Sequence, residues 1–118
     1  MANPDGLPKG VRLRSKKDIN QVFREGRYHA LGILHAKTLP GGQEETRFLI
    51  SVRKAIGNAP RRNRIKRLVR EAIRKHRHEL GKPYDICFFL TSRPPSPLPY
   101  SIIEAEIQNL IQRLSRKC

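Results

Sequence analysis

Residues 53–77 carry eleven of the chain's 25 Lys and Arg residues against a single acid, Glu71. Through the same stretch Ile65, Leu68, Val69, Ala72 and Ile73 recur at the period of a helix with one face in a core. Arg62, Lys66, Arg70 and Arg74 run along another face at i, i+4 spacing. Few arrangements satisfy both demands: one stripe must be buried while the opposite face repels itself. The Glu partners that would offset this repulsion at i, i+4 are missing. An amphipathic helix laid on a small core, its outer face neutralised by a polyanion, answers both. Arg outnumbers Lys here, which suits planar, bidentate recognition of phosphate. Asn63, between Arg62 and Arg64, adds a group able to bond a backbone or a base edge. Nucleic acid is therefore the expected ligand; the bland alternative is a solvated charged face.

The rest of the chain bounds the fold. At 118 residues it suits one core, so a single nucleic-acid-binding domain over 11–118 is expected, preceded by a flexible Pro/Gly-rich tail over 1–10. The net charge of +15 and pI near 10.9 favour nucleic acid or an anionic surface. No apolar run approaches the roughly 18 residues of a membrane span, and Met1 to Gly10 lacks the apolar stretch of a secretory signal. Cys87 and Cys118 form neither a CxxC pair nor a disulfide framework, so a reducing, cytoplasmic setting is expected.

Ser15 followed by Asp18 resembles a capping box, and Ile19, Val22 and Phe23 continue it to Gly26, which predicts a helix over 15–25. Strands are predicted over 31–39 and 47–53, paired as a hairpin about Pro40-Gly41-Gly42. Pro60 suits the first turn of the basic helix, and Gly81 closes it near 80. A run from Tyr84 to Thr91, apolar on both faces, predicts a central covered strand. The proline-rich 93–99 is a stiff extended connector. A last helix over 100–115 buries Ile103, Ile107, Leu110, Ile111 and Leu114, with Glu104 and Glu106 complementing its N-terminal dipole and Arg113, Arg116 and Lys117 its C-terminal end. The order helix, strands, basic helix, strand, helix implies an α+β fold, a two-layer sandwich around a small mixed sheet.

Catalytic constellations are missing from the sequence. The close acid pairs are Glu44 with Glu45, in an expected loop, and Glu104 with Glu106, explained by dipole compensation. His76 and His78 diverge on a helix and read as solvated. His29 and His35 have no evident partner, Ser15 and Ser51 no base, and Gly57-Asn58-Ala59 is too sparse for a phosphate loop. Phe23 suits either core packing or stacking on an unpaired base.

Ser51-Val52-Arg53-Lys54, Gly57-Asn58-Ala59, Arg62-Asn63-Arg64-Ile65-Lys66-Arg67 and Arg70-Glu71, in this spacing, resemble the signature of the bacterial ribonuclease P protein subunit. Arg12-Leu13-Arg14, the segment from Asp18 to Gly26 and the closing helix extend the likeness across nearly the whole chain. The resemblance implies a fold with a left-handed βαβ crossover, against the usual hand. It implies a small protein that binds a catalytic RNA, contacts the single-stranded 5′ leader of precursor tRNA, and leaves magnesium-dependent hydrolysis to the RNA. Catalytic-RNA contacts would fall to Arg53, Lys54, Arg61, Arg62, Asn63, Arg64, Lys66, Arg67 and Arg70. A leader cleft would involve Arg14, Lys17, Ile19, Phe23 and Lys37. No catalytic residue or metal ligand is expected on the protein, magnesium acting through the RNA subunit. The implied partners are that RNA and precursor tRNA, with neither membrane nor an obligate protein partner.

Three positions depart from the family's pattern. Ile19 and Lys37 stand where aromatics are frequent, and Arg53 with Ala55 replaces the more usual Ser and Lys around Lys54. Leader binding is thereby expected to lean toward electrostatics. Three rival readings exist. A structural RNA-binding protein of ribosomal type is the main one. A protein-only nuclease would need clustered acids or histidines, and sequence-specific DNA binding would need a helix-turn-helix arrangement.

Overall fold

The computed structural model describes residues 12–41 and 45–115. The expected tail over 1–10, Gly42 of the expected turn, Glu44, and the terminal cations Arg116 and Lys117 lie outside the described residues. Helix α1 (Lys16–Glu25) leads into strands β1 (Arg27–Ala30), β2 (His35–Pro40) and β3 (Arg47–Ser51). A short 3-10 helix at Lys54–Ile56 precedes helix α2 (Ala59–His76), then come strand β4 (Tyr84–Phe89) and helix α3 (Tyr100–Ser115). The result is a mixed α+β fold with a four-stranded sheet in the order β1-β2-β4-β3.

That order corrects the expected hairpin. β2 and β3 do not pair; β4 lies between them, antiparallel to β2 and parallel to β3. The observed hairpin joins β1 to β2, and β1 was absent from the sequence expectation. Four residues with little apolar character gave it no periodic signal. β4 wins the central position because its residues from Tyr84 to Phe88 are all buried, as a strand covered on both faces requires. The parallel β3–β4 pair, joined through α2, is a βαβ unit.

The larger core lies on the sheet face that meets α2 and α3. Ala36, Phe48, Ile50, Ile86 and Phe88 from the strands pack there with Ile65, Leu68, Val69, Ala72 and Ile73 of α2 and Ile103, Ile107, Leu110 and Ile111 of α3. The stripe read from the sequence is thus the buried stripe. On the opposite face α1 covers a smaller cluster, Val22 with Leu13 and Cys87, flanked by Ile19, Phe23, Leu39 and Leu49. Leu13 also donates its N–H to the Phe48 carbonyl at 2.9 Å, so its segment runs beside the β3 edge.

Local chemistry sets the ends of α1. The Ser15 hydroxyl accepts the Asp18 N–H at 3.4 Å. Gly26 ends the helix with φ −71°, an ordinary backbone angle. Its reason for being glycine is space: a Cβ would stand 2.4 Å from the Val22 carbonyl oxygen. Arg47 then anchors the helix to the sheet. Its Nε and Nη2 donate to the two oxygens of buried Asp85 at 2.9 and 2.7 Å, and Nη1 lies 3.4 Å from Asp18 of α1.

Two expected roles of α3 and one of α2 change. Glu106 does not serve a dipole; its carboxylate accepts the backbone N–H groups of Ile33 (2.9 Å) and Leu34 (2.7 Å) in the β1–β2 turn. Glu104 accepts from His76 at 2.7 Å and pairs with Lys75 at 3.3 Å. His76 is buried instead of solvated, its second ring nitrogen 2.8 Å from Glu79. α2 itself stops at His76 and tightens into a 3-10 turn over Arg77–Glu79, short of the expected end.

Candidate nucleic-acid interface

The Gly57-Asn58 pair shapes the start of α2. The Asn58 side chain accepts the Arg61 N–H at 3.0 Å as N-cap. Gly57 presents its carbonyl to Arg62 Nε at 3.2 Å, and a Cβ there would meet Arg61 Cδ at 2.8 Å. The guanidinium of Arg61 bonds the Pro94 carbonyl at 2.6 Å and that of Arg64 the Leu98 carbonyl at 3.3 Å, while Arg93 reaches back to Ala55 at 3.1 Å. The proline-rich connector is therefore strapped to the helix by the arginines that border it. Each guanidinium keeps further N–H donors for an outside acceptor.

Asn63, Arg64 and Arg67 are exposed and share a shallow depression of about 440 Å³ with Ala59 and Pro60. Asn63 and Arg67 have no hydrogen bond or ion pair among the described residues. The depression also sits at the positive end of the helix dipole, which adds to the field of the side chains. Arg62, Lys66 and Arg70 are half-buried on the flank, and Arg53 and Lys54 are exposed before the helix. Over α2, six Arg and two Lys face one Glu, and that Glu71 is engaged by Arg74 near the helix C-terminus. The N-terminal half is left with cations alone.

A second surface lies on the α1 face of the sheet. Register places Tyr28 opposite Lys37, and His35 opposite Phe89, so all four side chains share this face. The His35 ring stacks on Tyr28 (5.8 Å, 21°) and on Phe89 (5.5 Å, 20°), and Phe23 of α1 lies 6.1 Å from Phe89. Tyr28 Oη bonds His35 Nδ1 at 2.5 Å and Thr91 Oγ1 bonds Nε2 at 3.1 Å, which holds the ring in plane with its neighbours. Tyr28 is 51% exposed. Phe23 and Phe89 line a cavity of about 340 Å³ with Ser51, Arg53 and Thr91.

Phe23 is half-buried, packed on the small core along one side and lining that cavity along another. Lys37 donates to the Phe23 carbonyl at 2.6 Å and lies 6.0 Å from its ring centroid. It thus closes the C-terminal end of α1 as well as lining the face. Arg14 and Lys17 are exposed at the start of α1, and Ile19 is half-buried against the small core. Arg53 joins the cleft, between the two surfaces. Phe89, Tyr28, His35 and Thr91 escaped sequence reasoning. They lie far apart along the chain, and only strand pairing collects them.

Among the described residues no group of three or more His, Cys, Asp or Glu side chains could hold a metal ion. Asp18 and Asp85 are committed to Arg47. Cys87 is buried, its thiol pushed up to about 11 by desolvation and then by Asp85. Among the described residues no helix is long and apolar enough to cross a membrane.

Comparison with known proteins identifies the family. The chain is similar to the ribonuclease P protein component of Bacillus velezensis, 35% identical over 111 residues that cover 92% of this chain and 93% of that one. It is 46% identical over 80 residues to that of Dictyoglomus thermophilum, covering 68% of this chain and 67% of the relative. Among solved structures it resembles the Staphylococcus aureus RNase P protein (TM-score 0.77, 24% identity, covering 92% and 100%) and that of Thermotoga maritima (TM-score 0.75, 26% identity, covering 89% and 98%). The family model named Ribonuclease P matches residues 7–115, so the chain belongs to the ribonuclease P protein family, the protein component of an endoribonuclease that assembles with an RNA subunit.

Proposed function

We propose that α2 binds the catalytic RNA of ribonuclease P through Arg61, Arg62, Asn63, Arg64, Lys66, Arg67 and Arg70, with Arg53 and Lys54 extending that surface. The aromatic face beside α1 takes the single-stranded 5′ leader of precursor tRNA, Phe23, Phe89 and the Tyr28–His35 pair offering stacking surfaces and Arg14, Lys17 and Lys37 the surrounding charge. The RNA subunit, with its magnesium, performs the hydrolysis that frees the mature 5′ end. The protein supplies binding energy and position and needs no catalytic residue of its own. The observation that carries this reading is the cationic N-terminal half of α2, which has no acid to neutralise it and a polyanion for its natural complement.

Leader binding combines two terms. Stacking on an aromatic contributes about 1–3 kcal/mol per base and tolerates any sequence. Phosphate contacts add salt-dependent affinity. With Ile19 and Lys37 replacing frequent aromatics, the electrostatic share is the larger here.

The test is a reconstitution of this protein with a bacterial ribonuclease P RNA and a 5′-extended precursor tRNA at low magnesium. Cleavage at the mature 5′ end that needs both subunits is expected. RNA binding without any stimulation of that cleavage would instead favour a structural RNA-binding role, and hydrolysis by the protein alone with magnesium would assign the chemistry to the protein.

A further inference from the structure

On the sheet face turned toward α3, at the β1–β2 edge, lies a cavity of about 570 Å³ that the two surfaces above do not use. Arg27 enters it from β1 and Arg113 from the last turn of α3, so the two guanidinium groups come from opposite ends of the chain. Neither has a hydrogen bond or an ion pair among the described residues. The cavity lined by Arg74 and Arg77 differs, since there Arg77 pairs with Glu45 and Arg74 with Glu71.

His29 lines the same cavity, buried, with Nε2 3.3 Å from Thr38 Oγ1. Burial first, then Arg113 and Arg27, hold this imidazole below its ordinary pKa. The lining thus offers two guanidinium forks and, with His29 and Thr38 bonded to each other, one further donor from that pair, with no described carboxylate in the wall. That donor set matches a phosphate group. Tyr28 rims this cavity and also stacks on His35 in the aromatic face, so the two surfaces meet over β1. A strand whose base lies on Tyr28 could lay its next phosphate across that edge.

We propose that this cavity binds a backbone phosphate of single-stranded RNA, giving the protein a second anchor on the sheet edge opposite β3 and α2. The anchor rests on the RNA-binding reading above, but its first test needs no RNA. Inorganic phosphate is titrated into the full-length protein while the ring resonances of His29 are followed by NMR. Saturable shifts and an upward move of the His29 titration midpoint are expected, because the anion offsets the two arginines. The double variant R27A/R113A, altered only at exposed side chains, should keep its melting temperature and lose both responses. A His29 ring indifferent to phosphate, or an equal response in the double variant, overturns the site.

The second test measures affinity for a single-stranded RNA oligonucleotide against salt. Loss of one phosphate contact should flatten the log–log slope by about 0.7 in R27A/R113A. An unchanged slope beside an intact phosphate response overturns the RNA assignment and leaves a site for small anions. If R67A weakens binding to the catalytic RNA while R27A/R113A leaves oligonucleotide binding untouched, this anchor fails and the α2 interface stands.

Discussion

Two buried histidines pull stability in opposite directions with pH. His76 lies between Glu104 and Glu79, and these hydrogen bonds raise its pKa above 6.5. The folded state therefore favours the protonated ring: its contribution is complete below 6.5 and is lost as pH rises through the higher folded value. His29 has the reverse sign. Its pKa is lowered from 6.5, so the fold loses stability as pH falls from 6.5 toward the folded value. Thermal melts across pH should show His76→Gln flattening the decline on the alkaline side and His29→Gln flattening it on the acid side. Profiles that superimpose on that of the parent would refute both assignments. Among the arginines, Arg67 separates binding from folding most cleanly, because it has no partner among the described residues. Arg67→Ala should lower affinity for the catalytic RNA roughly tenfold, about 1.4 kcal/mol, reduce the salt slope by about 1, and leave the melting temperature unchanged. Arg64→Ala should weaken binding too, but with some loss of stability, since its guanidinium also holds the Leu98 carbonyl.

The β1–β2 hairpin is the element on which the aromatic face depends, and α3 holds it in place. Glu106 accepts two consecutive amides of its turn, and Gly32 there has φ 137° with a Cβ position 2.7 Å from the Glu106 carboxylate. Left-handed backbone and close approach both require glycine at this point. Glu106→Ala leaves two amides without their acceptor, at a cost of about 1–3 kcal/mol. Hydrogen exchange at Ile33 and Leu34 should accelerate more than in β4, and leader affinity should fall with it; uniform exchange across the sheet would argue against a hairpin-specific role. Phe89→Ala should reduce leader affinity by about 1–3 kcal/mol, the value of one stacked base, while catalytic-RNA affinity holds. At this scale the helices were legible, because capping residues and a 3.6-residue period are local signals: Ser15 and the stripe from Ile65 to Ile73 both behave as read. Strand pairing was not. β2, β3 and β4 each offer a plausible partner, and hydrophobic alternation is the same whichever neighbour a strand takes.

At the scale of the whole molecule, a net charge of +15 makes association with RNA steeply salt-dependent. Affinity for precursor leader should fall by orders of magnitude between about 50 and 200 mM salt; a near-constant affinity would mean that stacking dominates and that the Lys37 substitution matters little. Two layers of helix on one sheet separate the surfaces: α2 carries charge on one side, and α1 borders the aromatic face on the other. By itself the sequence determined the basic helix, its buried stripe and its resemblance to the ribonuclease P proteins, since those reside in contiguous residues and fixed spacing. It also marked Arg62-Asn63-Arg64 as a cationic stretch, of which the structure leaves Asn63 and Arg64 exposed near the start of α2. Only the tertiary structure decided that β4 would part β2 from β3, that Phe23, Tyr28, His35 and Phe89 would form one face, and that Arg27, His29 and Arg113 would line one cavity. Those groupings join residues dozens of positions apart, and the burial of apolar surface across the sheet selects them, a quantity that no local window of sequence contains.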